Sequence, residues 1–115
     1  MKIQEIIEIV KAEALIINQE VDIKSAFASD LMSDALRMIQ DEPEHMLLIT
    51  GLCNAQSMRT ADMLDIKTIL FVRGKQLQEE DLELAKSLGM NILTTEMTMY
   101  EASGQLYMKG LRPNL

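Results

Sequence analysis

The sequence predicts a three-layer α/β/α fold with a mostly parallel sheet of about five strands. Short apolar runs alternate with helical patterns from residue 46 onward, and the connections between them are short. Strands and helices that alternate in this way form βαβ units, whose parallel strands are covered on both faces. The segment 47–75 is the clearest unit, with a turn at Thr50-Gly51 and a second strand that ends before Arg73-Gly74-Lys75. At 115 residues, the chain is expected to form a single domain over residues 1–115.

The N-terminal part of the chain predicts one amphipathic helix followed by two short strands. Apolar residues recur at i, i+3, i+4 and i+7, so a helix is expected over residues 3–12 with one buried stripe. Residues 14–17 and 23–28 are extended runs, separated by a turn at 18–20. These two neighbouring runs are expected to pair as a β-hairpin. The buried stripe of the helix is Ile3, Ile6, Ile7 and Val10.

The rest of the chain alternates between helices and strands. A short helix is expected from Ser29 to Ile39, and the acidic cluster around Pro43 ends it because proline disfavours a helical predecessor. Strands are expected at 46–50, 68–72 and 91–93, and helices at 54–65, 79–88 and 98–109. The tail, residues 111–115, is expected to be frayed. In the short helix that begins at Ser29, the residues expected to face the core are Leu31, Ala35, Leu36 and Ile39.

The acidic composition argues against a nucleic-acid-binding protein. The net charge is −7, from 18 acidic against 11 basic residues. A nucleic-acid surface needs a basic face, whereas the lysines and arginines here are scattered along the chain. Two tyrosines, two phenylalanines and no tryptophan leave no platform for base stacking.

The cysteine content and the N-terminal segment indicate a cytoplasmic protein. Cys53 is the only cysteine and cannot form an internal disulfide, which favours a reducing compartment. Acidic residues interrupt the apolar ones in MKIQEIIEIVKAE, so this segment is not expected to be a signal peptide. No run approaches the ~20 apolar residues of a membrane span, and no membrane partner is expected.

Familiar nucleotide and metal motifs are missing. Gly74-Lys75 lacks the upstream glycine and the following hydroxyl residue of a P-loop, and no GxGxxG turn is present. His45 and Cys53 are the only residues of their types and lie eight apart, so a zinc site would be short of ligands. We therefore expect neither a cofactor nor a metal.

Two features could belong to a catalyst, and each has a simpler interpretation. Cys53 lies between a strand end and a helix start, where a thiol pKa is lowered. However, His45 is expected at the opposite end of that strand, so a packed cysteine is favoured. Asp30 and Asp34 would share a helical face, but helix capping by Ser29 or Asp30 is favoured over acid–base chemistry. Capping does not exclude contact with a ligand.

Polar side chains follow the strand ends and could form one rim. Three strands are expected to end near Thr50, Val72 and Leu93, and ligands of parallel sheets bind in the crevice at these ends. Arg59 could instead pair with Asp62 or Asp30, and Arg73 and Lys75 could be a solvated loop. Both interpretations stay open. The candidate ligand-binding residues are Ser29, Asp30, Thr50, Gly51, Asn54, Arg59, Arg73, Lys75, Thr94 and Thr95.

The order of these segments resembles the DRTGG domain family over nearly the whole chain. The matching pieces are SDLMSD, LLITGLCNAQSMRTADMLDIKTILFVRGK, LELAKSLGMNILTT and MYEASGQLY. The chain is similar to a free-standing member, related to the N-terminal domain of HPr kinase/phosphorylase and to modules within some phosphotransacetylases and pyrophosphatases. The resemblance implies a three-layer fold and a regulatory, non-catalytic role. The turn at residues 51–54 has no Asp-Arg pair where the naming pentad would fall, so the pentad's ligand contacts are not carried over.

The sequence is compatible with three functions. The first is a non-catalytic regulatory module, a homodimer that binds a nucleotide or small anionic metabolite at the strand ends. The second is an assembly or interaction subunit of a larger intracellular enzyme, for which an adaptable methionine surface would be the sign. The third is a small enzyme using Cys53 or Asp30. Core or dimer packing is favoured for most of the ten methionines, and the distinguishing question is whether Met32, Met38, Met97 and Met99 are exposed together.

Overall fold

The computed structural model describes residues 1–38 and 42–114. The helices are α1 (Ile3–Val10), α2 (Met32–Met38), α3 (Ala55–Met63), α4 (Glu79–Ser87) and α5 (Met99–Met108). The strands are β1 (Glu13–Ile16), β2 (Ser25–Ala28), β3 (Met46–Thr50), β4 (Thr68–Phe71), β5 (Asn91–Thr94) and β6 (Arg112–Pro113). A 3₁₀ turn over Pro43–His45 leads into β3. None of the helices in the described ranges is long and apolar enough to cross a membrane.

All strands of the described residues lie in one sheet of order β1-β5-β4-β3-β2-β6. The pairs from β5 to β6 along this order are parallel, and only β1 runs antiparallel to its neighbour, β5. The predicted mostly parallel sheet is therefore confirmed, with six strands where about five were expected. The predicted strand 46–50 coincides with β3.

The sheet separates two apolar clusters, which makes three layers. One cluster packs α1 and α5 against the sheet through Ile6, Val10 and Leu106. The other packs α3 and α4 against the opposite face through Met58 and Ala85. Because successive strand residues point to opposite faces, the fully buried β3 feeds both clusters. The predicted three-layer α/β/α fold is confirmed.

The predicted hairpin of the first two strands is wrong. β1 pairs with β5, and β2 pairs with β3 and β6. The reason lies in the intervening turn, which is held at the start of β5. The Asn91 side-chain oxygen accepts from the Asn18 N–H at 2.7 Å, and its amide nitrogen donates to the Gln19 carbonyl at 3.0 Å. Because the turn is bonded to Asn91, the chain crosses the sheet after β1 and does not fold back to pair with it.

The inward face of α2 differs from the prediction. Ala35 is buried and Met32 is half-buried, whereas Leu31 and Leu36 are 61% and 54% exposed. Leu31 precedes the helix, and Leu36 is rotated about 100° from Ala35, so the face toward the sheet runs through Met32 and Ala35. Ile39, the expected end of this helix, lies outside the described residues.

The expectation of a frayed tail is wrong for residues 111–114. Leu111 is buried, and the two residues of β6 pair in parallel with Ser25 and Ala26 of β2. Asn114 then donates from its backbone N–H to the Ala26 carbonyl at 3.0 Å. The tail covers an edge of β2 that would otherwise present unpaired backbone groups. Leu115 lies outside the described residues.

Candidate functional site

The carboxyl ends of the four central strands meet at one edge of the sheet, here called the carboxyl edge. Strands β2, β3, β4 and β5 run in the same direction and end there. The chain leaves β4 toward α4 on one face and leaves β5 toward α5 on the other. This reversal is a topological switch point, where open α/β sheets form a ligand crevice. β1 is antiparallel, so its first residue, Glu13, also lies at this edge, opposite Thr94.

Asp30 joins three strand ends at the carboxyl edge. Its Oδ1 accepts from the Gly51 N–H at 2.7 Å and from the Thr50 hydroxyl at 3.5 Å. Its Oδ2 accepts from Arg73 Nη1 at 3.2 Å. Asp30, Thr50, Gly51 and Arg73, here called the Asp30 cluster, therefore come together from the ends of β2, β3 and β4.

Arg73 lies directly against the turn that follows β3. A Cβ at Gly51 would overlap with the Arg73 guanidinium, so only glycine allows this approach. Arg73 itself has φ 63°, a left-handed conformation that is unfavourable for a residue with a Cβ. Its N–H donates to the Met97 carbonyl at 2.8 Å, and the Gly74 N–H donates to the Thr95 carbonyl at 2.9 Å. These bonds hold the strained turn that directs the guanidinium toward Asp30.

The surroundings of Asp30 favour its ionised form. The hydrogen bond from the Gly51 N–H is the largest cause that lowers the pKa of this carboxyl, followed by the hydrogen bond and charge of Arg73. Partial burial acts in the opposite direction, and the net pKa is below the ordinary value. The Asp30 cluster therefore holds a carboxylate at neutral pH.

A cleft of about 360 Å³ opens beside the Asp30 cluster. Its walls are the α1–β1 turn, the β4–α4 loop and the β5–α5 turn, so it lies at the switch point. A volume of this size is at the lower end of small-molecule pockets. The cleft, called the edge cleft below, is lined by Lys11, Glu13, Leu15, Gly74, Lys75, Gln76, Leu77, Leu82, Thr94, Thr95 and Glu96.

The lining of the edge cleft combines a charged rim with an apolar floor. Lys11 and Lys75 are exposed cations, while Glu13 and Glu96 are exposed acids. The floor consists of the half-buried side chains Leu15, Leu77 and Leu82. The candidates from the sequence included Lys75 but not Glu96, although Glu96 directly follows the candidates Thr94 and Thr95. Lys11 and Glu13 were also missed. No signal in the sequence places them here, since their position depends on β1 running antiparallel to β5.

Three of the sequence candidates have structural roles. Thr95 is buried, and its hydroxyl donates to the Val10 carbonyl at 2.7 Å, which ties the β5–α5 turn to the end of α1. Asn54 is the N-cap of α3, since its side chain accepts from the Ser57 N–H at 2.8 Å. The Ser29 hydroxyl accepts from the Leu31 N–H at 2.9 Å.

Among the hydrogen bonds of the described residues, the Asp30 carboxylate does not take the capping role that was favoured for Ser29 or Asp30. Helix α2 begins at Met32, and the Asp30 carboxylate bonds to the ends of β3 and β4 instead of to α2. The carboxylate accepts from three donors at the sheet edge, Thr50, Gly51 and Arg73, and not from the first turn of the short helix.

Arg59 lies away from the edge cleft, on the exposed face of α3. Within the described residues, it forms no ion pair with Asp62 or Asp30. Asp62 pairs with Lys67 at 3.8 Å, and Asp30 pairs with Arg73. Both predicted partners of Arg59 are thus engaged by other cations.

Cys53 is not activated by its position before α3. Burial is the largest cause that raises the pKa of its thiol, and the Asp81 carboxylate acts in the same direction. The raised pKa agrees with the packed cysteine favoured from the sequence, and the lowering that a helix start can cause does not dominate here. His45 lies at the opposite end of β3, as predicted, where its Nδ1 is 2.9 Å from the Asp22 carbonyl oxygen. The two side chains cannot form a nucleophile–base pair, which needs hydrogen-bond contact.

The chain is a three-layer α/β protein with a cleft at the switch point of its sheet, which is where open α/β sheets form a ligand crevice. A similar solved structure is that of the CBS and DRTGG domains of the regulatory region of Clostridium perfringens pyrophosphatase, complexed with the activator diadenosine tetraphosphate. The TM-score is 0.73 at 20% sequence identity, over 90% of this chain and 45% of that chain. At this identity the likeness shows the fold, and the DRTGG-type fold expected from the sequence is confirmed.

The chain spans less than half the length of that pyrophosphatase structure. No protein-family model matches the sequence, and a comparison with curated proteins found no match. The turn after β3 lacks the Asp-Arg pair of the naming pentad, but Asp30 and Arg73 form such a pair in space beside that same turn.

Proposed function

We propose that the protein is a non-catalytic regulatory module that binds a nucleotide or a similar small anionic metabolite in the edge cleft. The main observation behind this proposal is the lining of the cleft. It combines two lysines and three leucines at the switch point of the sheet. The similar structure supports it, because that structure is a regulatory region complexed with an activator nucleotide.

Each part of the lining suits one part of a nucleotide. The ammonium groups of Lys11 and Lys75 suit phosphate oxygens, and the leucine floor suits the apolar face of a base. Glu13 and Glu96 are acceptors for ribose hydroxyls, the role that acidic residues have in dinucleotide sites. The charges of the two lysines are offset by those of the two carboxylates. The cleft therefore suits a ligand with one or two negative charges better than a highly charged one.

Calorimetric titration of the full chain with AMP, ADP and adenosine tests this function. We expect AMP to bind and Lys75→Gln or Lys11→Gln to weaken binding by about tenfold or more, the value of a charge-assisted hydrogen bond. Lys86→Gln is the matched control, because Lys86 is an exposed lysine in the last turn of α4 and does not line the cleft. The proposal fails if no nucleotide binds, or if binding is as strong in Lys75→Gln as in Lys86→Gln.

The proposed module is a homodimer, and its interface is the outer face of α5. Tyr100, Gly104, Tyr107 and Met108 form one stripe at helical spacing, and Tyr100 and Met108 are 90% and 79% exposed. Buried aromatic side chains contribute roughly 150–250 Å² each, so this stripe supplies roughly half of the ~800 Å² per partner of a standard interface.

A second copy of the chain suits this face because the stripe is self-complementary. Two α5 helices that cross antiparallel at Gly104 place Tyr100 of each copy opposite Met108 of the other. The same crossing brings Glu101 near Lys109 of the second copy, and both are exposed. Opposite charges and a small residue at the crossing point therefore favour an isologous dimer.

Light scattering coupled to gel filtration tests the homodimer. We expect Met108→Glu or Tyr100→Glu to give a monomer, while Met63→Glu leaves the dimer intact. Met63 is the matched control because it is 77% exposed and lies on α3, behind the opposite face of the sheet. A monomeric wild-type protein at high concentration would exclude this interface.

The alternative role as an assembly subunit has less support. Met97 and Met99 pack against the cluster of α1 and α5, whereas Met32 packs against the cluster of α3 and α4. The methionines proposed as a single adaptable surface are therefore divided between two faces of the sheet. An affinity capture that recovers a stoichiometric enzyme partner through the α5 face would reverse this preference.

A further inference from the structure

The Asp30 cluster has the donors of a site for an oxyanion. A backbone N–H and a guanidinium converge on one pair of oxygen atoms, at 2.7 Å from Gly51 and 3.2 Å from Arg73. Proteins hold phosphoryl groups with this combination, because both donors bond more strongly to a charged acceptor. Here the acceptor comes from the chain itself, as the carboxylate of Asp30.

The donors are held in place by the sheet, whereas the acceptor comes from a turn. Gly51 directly follows β3, and Arg73 follows β4 by two residues, so both are anchored to neighbouring central strands. Asp30 lies in the turn between β2 and α2. Its side chain is 43% exposed and that of Arg73 is 41% exposed, so both face solvent, whereas Gly51 is buried next to them.

Two backbone features serve the donor arrangement specifically. Gly51 has no Cβ, which leaves room for the guanidinium against its N–H. Arg73 keeps a left-handed backbone conformation that disfavours every residue except glycine, asparagine and aspartate. The hydrogen bonds of this turn to the Met97 and Thr95 carbonyls hold the conformation, which places the guanidinium against Gly51.

We propose that the Gly51 N–H and the Arg73 guanidinium form a phosphoryl-binding site that Asp30 occupies in the free protein, and that the phosphoryl group of a ligand displaces Asp30. The site directly precedes Gly74 and Lys75 in the chain, which line the edge cleft. The ligand thereby breaks the bonds between the β2–α2 turn and the strand ends. Release of this turn is the conformational signal that a regulatory module needs.

This inference rests on the proposed function only in that the natural ligand carries a phosphoryl group. The alternative is that Asp30 is simply a structural link between β2, β3 and β4. The two differ in what removal of the carboxylate does: a structural link loses stability, whereas an internal occupant leaves a site that takes up phosphate more strongly.

Titration with inorganic phosphate, followed by ¹H–¹⁵N NMR at constant ionic strength, separates these alternatives. We expect Asp30→Ala to bind phosphate at least tenfold more tightly than the wild type, with the Gly51 amide among the most shifted signals. Asp30→Asn should show an intermediate gain, because its amide oxygen still accepts from Gly51 but no charge pairs with Arg73. The added Arg73→Gln change should abolish the gain.

The inference is overturned if neither Asp30→Ala nor Asp30→Asn binds phosphate more tightly than the wild type. It is also overturned if the gain survives Arg73→Gln. The isosteric Asp30→Asn variant keeps the experiment decisive should Asp30→Ala fail to fold. Calorimetric titration of the wild type with AMP distinguishes this failure from failure of the proposed function: if the wild type binds AMP but its Asp30 variants gain no affinity for phosphate, this inference alone is overturned. Lys86→Gln is the matched control for the phosphate titration, because Lys86 is exposed on α4 and does not line the cleft.

Discussion

The Thr95 hydroxyl donates a hydrogen bond to the Val10 carbonyl at 2.7 Å, across 85 residues of sequence. Thr95 also accepts from the Met97 N–H at 3.2 Å, so one buried side chain connects the end of α1 to the β5–α5 turn. The α1–β1 turn and the β5–α5 turn that meet here are neighbouring parts of the cleft lining. The bond therefore holds these two parts of the cleft lining together.

The first prediction follows from this bond. Thr95→Val keeps the shape of the side chain but leaves the buried Val10 carbonyl without this donor. We expect the free energy of unfolding in urea to fall by about 1–3 kcal/mol, the cost of a buried polar group that loses its partner. Thr94→Val is the control, since Thr94 is only half-buried and borders the cleft. An equal loss in both variants would contradict the special role of Thr95.

The second prediction separates capping from ligand binding at Asn54. Asn54→Ala removes the acceptor for the Ser57 N–H at 2.8 Å and should destabilise the protein by about 1 kcal/mol in urea denaturation. Asn54→Asp keeps an acceptor and adds a charge that the helix N-terminus favours, so it should retain stability. Nucleotide affinity should be the same in the wild type, Asn54→Ala and Asn54→Asp. A weaker affinity in Asn54→Ala would show that Asn54 contacts the ligand.

The third prediction concerns the backbone of Arg73. Both Arg73→Ala and Arg73→Gly remove the ion pair with Asp30, which is 3.2 Å long. Only glycine relieves the left-handed conformation at φ 63°. Chemical denaturation should therefore find Arg73→Gly more stable than Arg73→Ala by about 1 kcal/mol. Equal stability of the two variants would mean that the turn can leave the left-handed conformation. The position of the Arg73 side chain would then not depend on that conformation.

The fourth prediction is a pH dependence from Asp30. Its pKa in the folded protein is lowered, first by the hydrogen bond from the Gly51 N–H and then by Arg73. The ionised group therefore contributes stability above the unfolded pKa of about 3.9, and this contribution is lost as the pH falls through the folded pKa. The difference in unfolding free energy between wild type and Asp30→Asn should be constant near neutral pH and shrink below about pH 4.

The arginine offers a control for that pH dependence. Arg73→Gln leaves the Gly51 N–H in place, which is the largest cause of the lowered pKa of Asp30. This variant should therefore keep most of the pH-dependent stability seen in the wild type. Complete loss of the pH dependence in Arg73→Gln would show that the arginine, and not the backbone amide, governs the carboxyl group.

The fifth prediction concerns the reactivity of Cys53. Burial raises the pKa of its thiol, so the reactive thiolate is scarcer at neutral pH than in a free cysteine. Alkylation by iodoacetamide at pH 7 should be slower than that of a small thiol, and unfolding in urea should abolish the difference. A native rate above that of the free thiol would revive Cys53 as a nucleophile.

The central strands were predictable because their signals are local. A continuous apolar run from Met46 to Thr50, with Pro43 before it and Gly51 after it, indicates a buried strand without any knowledge of its neighbours. Parallel strands in βαβ units end at one edge, so Asp30, Gly51 and Arg73 were expected near one another. Their arrangement around a single carboxylate required the structure, since it depends on the side-chain direction of Arg73.

The remaining features depend on contacts between distant residues. The place of β1 follows from the bonds of Asn91 to Asn18 and Gln19, more than 70 residues away in sequence. β6 forms because Arg112 and Pro113 meet the free edge of β2. Neither contact can be recognised from the spacing of apolar residues along the sequence. Sequence reasoning therefore missed one wall of the edge cleft and the closing strand of the sheet.

The antiparallel direction of β1 separates two charged residues of the edge cleft from the buried core. Lys11 and Glu13 enter the edge cleft from a surface turn and its first strand residue, and both are exposed. The parallel strands that support the core end on the other walls. Changes in this short turn can therefore exchange charges in the cleft while the buried sheet stays the same. Residues 11–13 can therefore be replaced to change the charges that the edge cleft offers to the proposed ligand, while the sheet stays unchanged.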